Sequence, residues 1–281
     1  MSQFSFKSAD GTKLRGSVLA DPVNPVAVMT LVHGFGEHHK RYQHMADYLK
    51  GFDIVVIAAD LRGHGVSDGK RGCVKKYAEL SHDLKALLAE TRERFAGVPH
   101  ILYGHSMGGG LVLNQLTSDP STGHDLYGVI TSAPLLKLVD PPNIILRGLV
   151  NVLCLLAPQL TLKNPIDGTK ISTIKIEQNA YVDDPLTHGE MSLGLAKGMV
   201  EAGEAALQNA SFLETPLLLL HSKGDRLTHF DASQDFAARA QNCSFHDFEA
   251  VEHEMHNDTS QDAVYALMKD FILNRSQNAN L

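Results

Sequence analysis

The stretch HILYGHSMGGGLVLNQLTSD, residues 100–119, decides how this chain folds. His100 to Ser106 reads as a short buried strand. Three glycines, Gly108, Gly109 and Gly110, then open an apolar stretch of helical length. The junction, Gly104-His105-Ser106-Met107-Gly108, fits G-x-S-x-G. In a strand-to-helix turn this pattern lifts the serine to the apex, and its neighbours must be small so that the backbones can pass closely. Taken alone, the pattern is equally an ordinary glycine turn. Its neighbours in the chain have to carry the reading.

Working outward, similar short runs rich in branched residues occur at Val26–His33, Asp53–Asp60, Gly128–Pro134 and Pro216–Ser222, with a weaker one at Ser244–Ala250. Between them, Leu80, Leu84, Leu87, Leu88 and Phe95 recur at helical spacing, as do Val264, Leu267, Met268, Phe271 and Ile272. Strands alternating with helices predict an α/β fold with a mostly parallel central sheet flanked by helices. Gln3 to Leu19 alternates around Asp10-Gly11 and predicts an N-terminal β-hairpin. The rhythm breaks between Leu135 and Ser211. The expected organisation is therefore a core in two segments, 1–134 and 212–281, interrupted by a helical cap insertion at 135–211. Within it, Asn143 to Pro158 is strongly apolar but shorter than the roughly 20 residues of a membrane span, and Arg147 and Asn151 interrupt it. It is expected to pack against the core or line a substrate entrance, with a transient membrane-surface contact as the secondary expectation.

The 281 residues are 43% hydrophobic and 20% charged, with a formal net charge of −7, so there is no basic footprint for nucleic acid. Cys73, Cys154 and Cys243 are odd in number and widely spaced, which suits neither a disulfide framework nor a zinc site. The first residues lack the apolar core of a secretory signal, so a cytoplasmic location is the expectation.

A serine hydroxyl is a poor nucleophile unless a histidine base accepts its proton and an acid orients that base. The order expected for a serine on such a turn is serine, then acid, then histidine. Asp225 follows the Pro216–Ser222 strand in the loop Lys223-Gly224-Asp225 and is placed to be the acid. Beside Gly224 it could equally stabilise a turn. Asp183 and Asp184 lie in the inserted segment, and Asp231 falls near a helix start. VEHEMHND, from Val251, offers His253 and His256, which spacing alone does not separate. His-Glu-x-His is one residue short of the zinc-protease pattern, and His38, His39 and His44 have no ligand spacing, so no metal is expected. Two backbone amides must hold the oxyanion. Met107, after the serine, is one, and Phe35, in the glycine-rich loop after the first buried strand, is the other.

These residues resemble the monoacylglycerol lipase and lysophospholipase-like branch of the α/β-hydrolases. The resemblance rests on His33-Gly34-Phe35-Gly36-Glu37-His38 with Arg41-Tyr42, on Asp60-Leu61-Arg62-Gly63-His64-Gly65 with Ser67 and Gly69, and on Gly104 to Gly109. It continues through Ser132-Ala133-Pro134, Asp184-Pro185, Asp225-Arg226 and His253 with His256. It implies the α/β-hydrolase fold, with Ser106, Asp225 and His253 as a catalytic triad. It further implies that Glu37, Arg41 and His256 contact the alcohol part of the substrate. For Glu37 and Arg41, a local ion pair holding the loop is an equal alternative. Arg62 to Gly65 would be a turn supporting the site. The implied activity is hydrolysis of small-molecule carboxylic esters, monoacylglycerols or similar acyl esters, without a cofactor. The alternatives are a lysophospholipase, a general carboxylesterase, and a non-catalytic ligand-binding protein on the same scaffold. Two departures stand out. Phe35 is bulkier than the small residue often found there, and the inserted segment matches only at Asp184-Pro185.

Overall fold

In the computed structural model, which describes residues 2–277, the chain opens with an antiparallel hairpin of β1 (Ser2–Lys7) and β2 (Lys13–Ala20). Residue 1 and residues 278–281, the outer ends of the two expected core segments, lie outside the described residues. Then come β3 (Ala27–Val32), α1 (Gln43–Lys50), β4 (Ile54–Ala59), α2 (Ala78–Arg94), β5 (His100–His105), α3 (Met107–Ser118) and β6 (Leu126–Ser132). The next segment holds α4 (Ile144–Leu156), β7 (Thr161–Lys163), α5 (Lys175–Asp183), β8 (Glu190–Ser192) and α6 (Leu193–Gln208). The chain returns with β9 (Leu217–Ser222), α7 (Phe230–Arg239), β10 (Cys243–Phe248) and α8 (Gln261–Gln277).

Eight strands form one sheet in the order β1-β2-β4-β3-β5-β6-β9-β10. Pairing is parallel from β4 through β10, and antiparallel only where β2 meets β1 and β4. Every residue of β3, β4, β5 and β9 is buried, so these strands read as largely apolar runs rather than alternating ones. β10 is an edge strand without a single buried residue, which explains its weaker signal. On one face Met45, Leu49, Val264, Met268 and Ile272 of α1 and α8 pack on Met29, Leu31 and Val56. On the other, residues of α2, α3 and α7 pack on Val32, Leu102 and Val129.

The strand order reverses at β3: the chain steps outward to β4, then crosses back to β5 on the other side. The carboxyl ends of strands at such a reversal open a crevice where open α/β sheets bind ligands. The loops after β3 and β5 flank it.

Three features of the segment between β6 and β9 were not legible in the sequence. β7 and β8 pair as a small antiparallel sheet of their own. Three-residue strands that bury one side chain between them leave no periodic trace in sequence. α6 is no peripheral helix: Leu195, Met199 and Ala206 join the core under α3. α4 has no buried residue at all, and Leu155 and Leu156 are 84% and 81% exposed. The apolar run therefore does not pack against the core. A bidentate ion pair from Arg147 to Glu204, at 2.8 and 2.9 Å, ties it to α6.

Candidate active site

Ser106 stands between β5 and α3 at φ 52° and ψ −119°, a strained conformation for any residue with a side chain. Such backbone costs about 1–3 kcal/mol and persists only where the surroundings over-determine it. Here the Ser106 amide donates to Ser132 O at 3.0 Å, and the Leu135 amide donates to Ser106 O at 2.8 Å. Close approach explains two of the glycines. A Cβ on Gly108 would sit 2.4 Å from Val32 O, and one on Gly104 would sit 2.8 Å from the Gly109 Cα. Gly110 abuts Leu135 in the same manner, so α3 lies tight under the turn.

Asp225 and His253 are brought together although 28 residues separate them: His253 Nδ1 donates to Asp225 Oδ2 at 2.7 Å. The aspartate is buried and crowded with donors. Its Oδ1 accepts from the Leu227 and Thr228 amides at 2.7 and 3.0 Å, and its Oδ2 also accepts from the Thr228 hydroxyl at 2.7 Å. Burial would raise the carboxyl, but the charges of His253 and His221 and the hydrogen bonds these two rings make to it hold it well below the usual carboxylate range. Burial would lower His253, but Asp225, with Glu254 and Glu37, raises it above the ordinary histidine value. No hydrogen bond joins Ser106 to His253 among the described residues. Such bonds commonly tighten only when substrate is present. The rival aspartates lie elsewhere. Asp184 accepts from His38 Nε2 at 2.8 Å, and Asp183 and Asp231 are exposed.

Neither the Phe35 nor the Met107 amide has a hydrogen-bond partner among the described residues, so both are free to receive an oxygen. The Gly34 amide is not, because it donates to Glu37 Oε1 at 2.6 Å. Glu37 is buried and also accepts from Tyr42 at 2.7 Å and from Arg41 at 2.8 Å. Arg41 in turn grips Glu254 with two bonds of 2.5 and 2.8 Å. Glu37 and Arg41 thus spend their polar atoms on a buried network that ties the Phe35 loop to the segment bearing His253. The Phe35 ring lies edge-on to His64 and His188. His188, from the inserted segment, also donates its amide to Gly36 O at 2.8 Å. Asp60 accepts from the His39 and Val66 amides at 2.9 and 2.8 Å, which closes the Arg62–Gly65 turn against this loop.

His256 is fully buried, stacks on Tyr42 with centroids 4.9 Å apart, and neither ring nitrogen has a partner among the described residues. Burial pushes it down to about 4, so it is neutral at physiological pH. His105 packs against both His253 and His256 at 4.8 Å, and burial holds it well below the usual value. Two adjoining clefts of about 510 and 410 Å³ open between α4 and α6. Leu135, Leu138 and Met199 line both, and Leu135 is the residue whose amide holds Ser106.

Sequence reasoning missed Glu254 and His221. Glu254 carries no local signal, since its partner Arg41 lies 213 residues away. His221 did leave one, as a polar residue at the end of a strand of leucines. Among the described residues, no cluster of three or more His, Cys, Asp and Glu could hold a metal ion.

Comparison with known proteins places this architecture. The sequence model of the family described as serine aminopeptidase, S33, matches residues 23–260. A monoacylglycerol lipase of Mycolicibacterium smegmatis is 30% identical over 266 residues, covering 94% of this chain and 94% of its own. An abhydrolase domain-containing protein of Dictyostelium discoideum is 35% identical over 92% of this chain, which spans only 27% of that protein's length. The crystal structure of a monoacylglycerol lipase from Paleococcus ferrophilus superposes with a TM-score of 0.83 at 26% identity, covering 93% of this chain and 99% of the other.

Proposed function

This chain belongs to the serine aminopeptidase S33 family of α/β-hydrolases, and from that membership and the site geometry we propose that it is a serine hydrolase of carboxylic esters acting on monoacylglycerols or closely similar acyl esters. One observation carries the chemistry: His253, bonded to Asp225 at 2.7 Å, packs with its ring 4.8 Å from that of His105, the neighbour of a serine on a strained turn. His253 Nε2 takes the Ser106 proton as Oγ attacks the ester carbonyl. Asp225 keeps the other proton on Nδ1 and balances the imidazolium. The Phe35 and Met107 amides hold the oxyanion, each donor worth about 100- to 1,000-fold in rate. The imidazolium then protonates the departing alcohol, and water clears the acyl group by the same steps. The apolar cleft beside Leu135 suits the acyl chain. The unpartnered nitrogens of His256 suit a hydroxyl of the alcohol, within the pocket that Glu37 and Arg41 brace.

Turnover of p-nitrophenyl esters, followed by labelling with a serine-reactive phosphonate and peptide mapping, tests the reaction. Turnover with the label on Ser106 is expected, and failure of both overturns the proposal. Release of glycerol from monoacylglycerols, set against lysophospholipids and short esters, tests the substrate class. Equal or better turnover of lysophospholipids would move the assignment there.

The base must be neutral to act, and His253 is raised above the ordinary value of 6.5. Activity is therefore lost at low pH, and kcat/KM should rise with pH through a midpoint above about 6.5. A profile flat between pH 5 and 8 would count against His253.

The exposed apolar face of α4 is a candidate for contact with the lipid surface from which such substrates come. No helix among the described residues is long and apolar enough to cross a membrane, so the contact would be interfacial. In sedimentation with zwitterionic vesicles, Ile145→Glu and Leu156→Glu should reduce binding and leave turnover of a soluble short ester unchanged. Equal sedimentation of wild type and variants would remove α4 from the account.

A further inference from the structure

We infer that His221 is a positioning residue for the Asp225–His253 pair, a second imidazole held on the same carboxylate oxygen. The inference rests on the hydrolase reading above. His221 is the penultimate residue of β9 and is completely buried. The three preceding positions are Leu218, Leu219 and Leu220, so an apolar side chain would have continued the strand at no polar cost. The histidine instead has both nitrogens engaged. Its Nε2 lies 3.1 Å from Asp225 Oδ2, the oxygen that also receives His253 Nδ1. Its Nδ1 lies 2.7 Å from the hydroxyl of Ser233 on α7, itself wholly buried.

The tautomer follows from the partners. An ionised carboxylate only accepts, so Nε2 carries the proton and points it at Asp225. On a neutral ring Nδ1 then accepts, and the Ser233 hydroxyl donates to it. The result is a directed chain from Ser233 through His221 to Asp225, meeting the His253 bond at one oxygen. Thr228 completes the set with its hydroxyl on that oxygen. A carboxylate held on one side only by His253 could rotate with it. Fixed by donors of its own, Asp225 presents Oδ2 in one direction and sets the plane of the base.

Part of the negative charge on Oδ2 is therefore shared with His221 rather than given wholly to His253. Removing that donor leaves more of the charge for His253, with the Thr228 hydroxyl still on the same oxygen. His253 then binds its proton more tightly and needs a higher pH to become the free base. The other ionisable groups facing His253 are Glu254, Glu37, His105, His256 and Arg41, and none changes in the variants below.

The test is the pH profile of kcat/KM for a soluble ester, with active sites counted by phosphonate titration so that misfolded protein does not enter. In His221→Leu, which keeps the bulk and removes the donor, the acidic midpoint should move up by about half a unit to one unit, the scale of one hydrogen bond to a charged group. The turnover number should fall roughly tenfold. His221→Gln, whose amide nitrogen can reach Asp225, should restore the midpoint. Ser233→Ala should shift it in the same direction by less, and it serves if His221→Leu does not fold. An acidic midpoint unmoved in His221→Leu, or in Ser233→Ala where only that variant folds, would leave His221 a packing residue and overturn the inference. Failure of the wild-type chain to turn over esters or take the label would instead overturn the hydrolase reading.

Discussion

Replacing His253 with alanine should lower kcat on soluble esters by about a million-fold, the scale seen when one member of a concerted serine-histidine pair is removed. Without the imidazole nothing takes the Ser106 proton, so phosphonate labelling should fall as well. His256→Ala is the matched control. That ring has no bond to Asp225 and is neutral, buried and stacked on Tyr42. Its loss should raise KM for glycerol esters severalfold while p-nitrophenyl ester turnover changes little. The reverse pattern, with His256→Ala inactive and His253→Ala active, would reassign the base. The measurement separates two histidines that spacing leaves equivalent.

Asp225→Asn should cost about 10,000-fold in kcat while the protein folds normally, because the defect is one of tautomer. The carboxylate accepts the Nδ1 proton of His253 at 2.7 Å. An asparagine that keeps its oxygen toward the Leu227 and Thr228 amides turns its NH₂ toward His253 and His221. His253 would then have to accept at Nδ1 and carry its proton on Nε2, where the serine needs a base. Raising the pH should not rescue the variant, because the proton is misplaced rather than in excess. Wild-type activity in Asp225→Asn would exclude this aspartate as the orienting group, and Asp184, bonded to His38, would be the next to test.

Much of this could be read from local chemistry. Continuous apolar runs are what strands buried on both faces must be, so β3, β4, β5 and β9 declared themselves to within a residue or two. The glycines around Ser106 were legible because a tight turn excludes side chains. The apolar run at α4 was legible as a helix but not as an exposed one, since sequence records hydrophobicity and not whether anything covers it. The pair β7–β8 was silent for want of a repeat.

The sequence by itself determined the alternation of elements, the presentation of Ser106, and the short list of groups able to serve it. Each of these is a property of neighbouring residues, set by period, size and backbone freedom. Only the tertiary structure decided which members of that list meet. It joined Asp225 to His253 across 28 residues and Arg41 to Glu254 across 213. It also placed His221 on the Asp225 carboxylate. The reason is physical. A hydrogen bond or buried ion pair depends on distance in space, and parallel pairing brings the loops after β3, β5, β9 and β10, far apart in the chain, to one edge of the sheet.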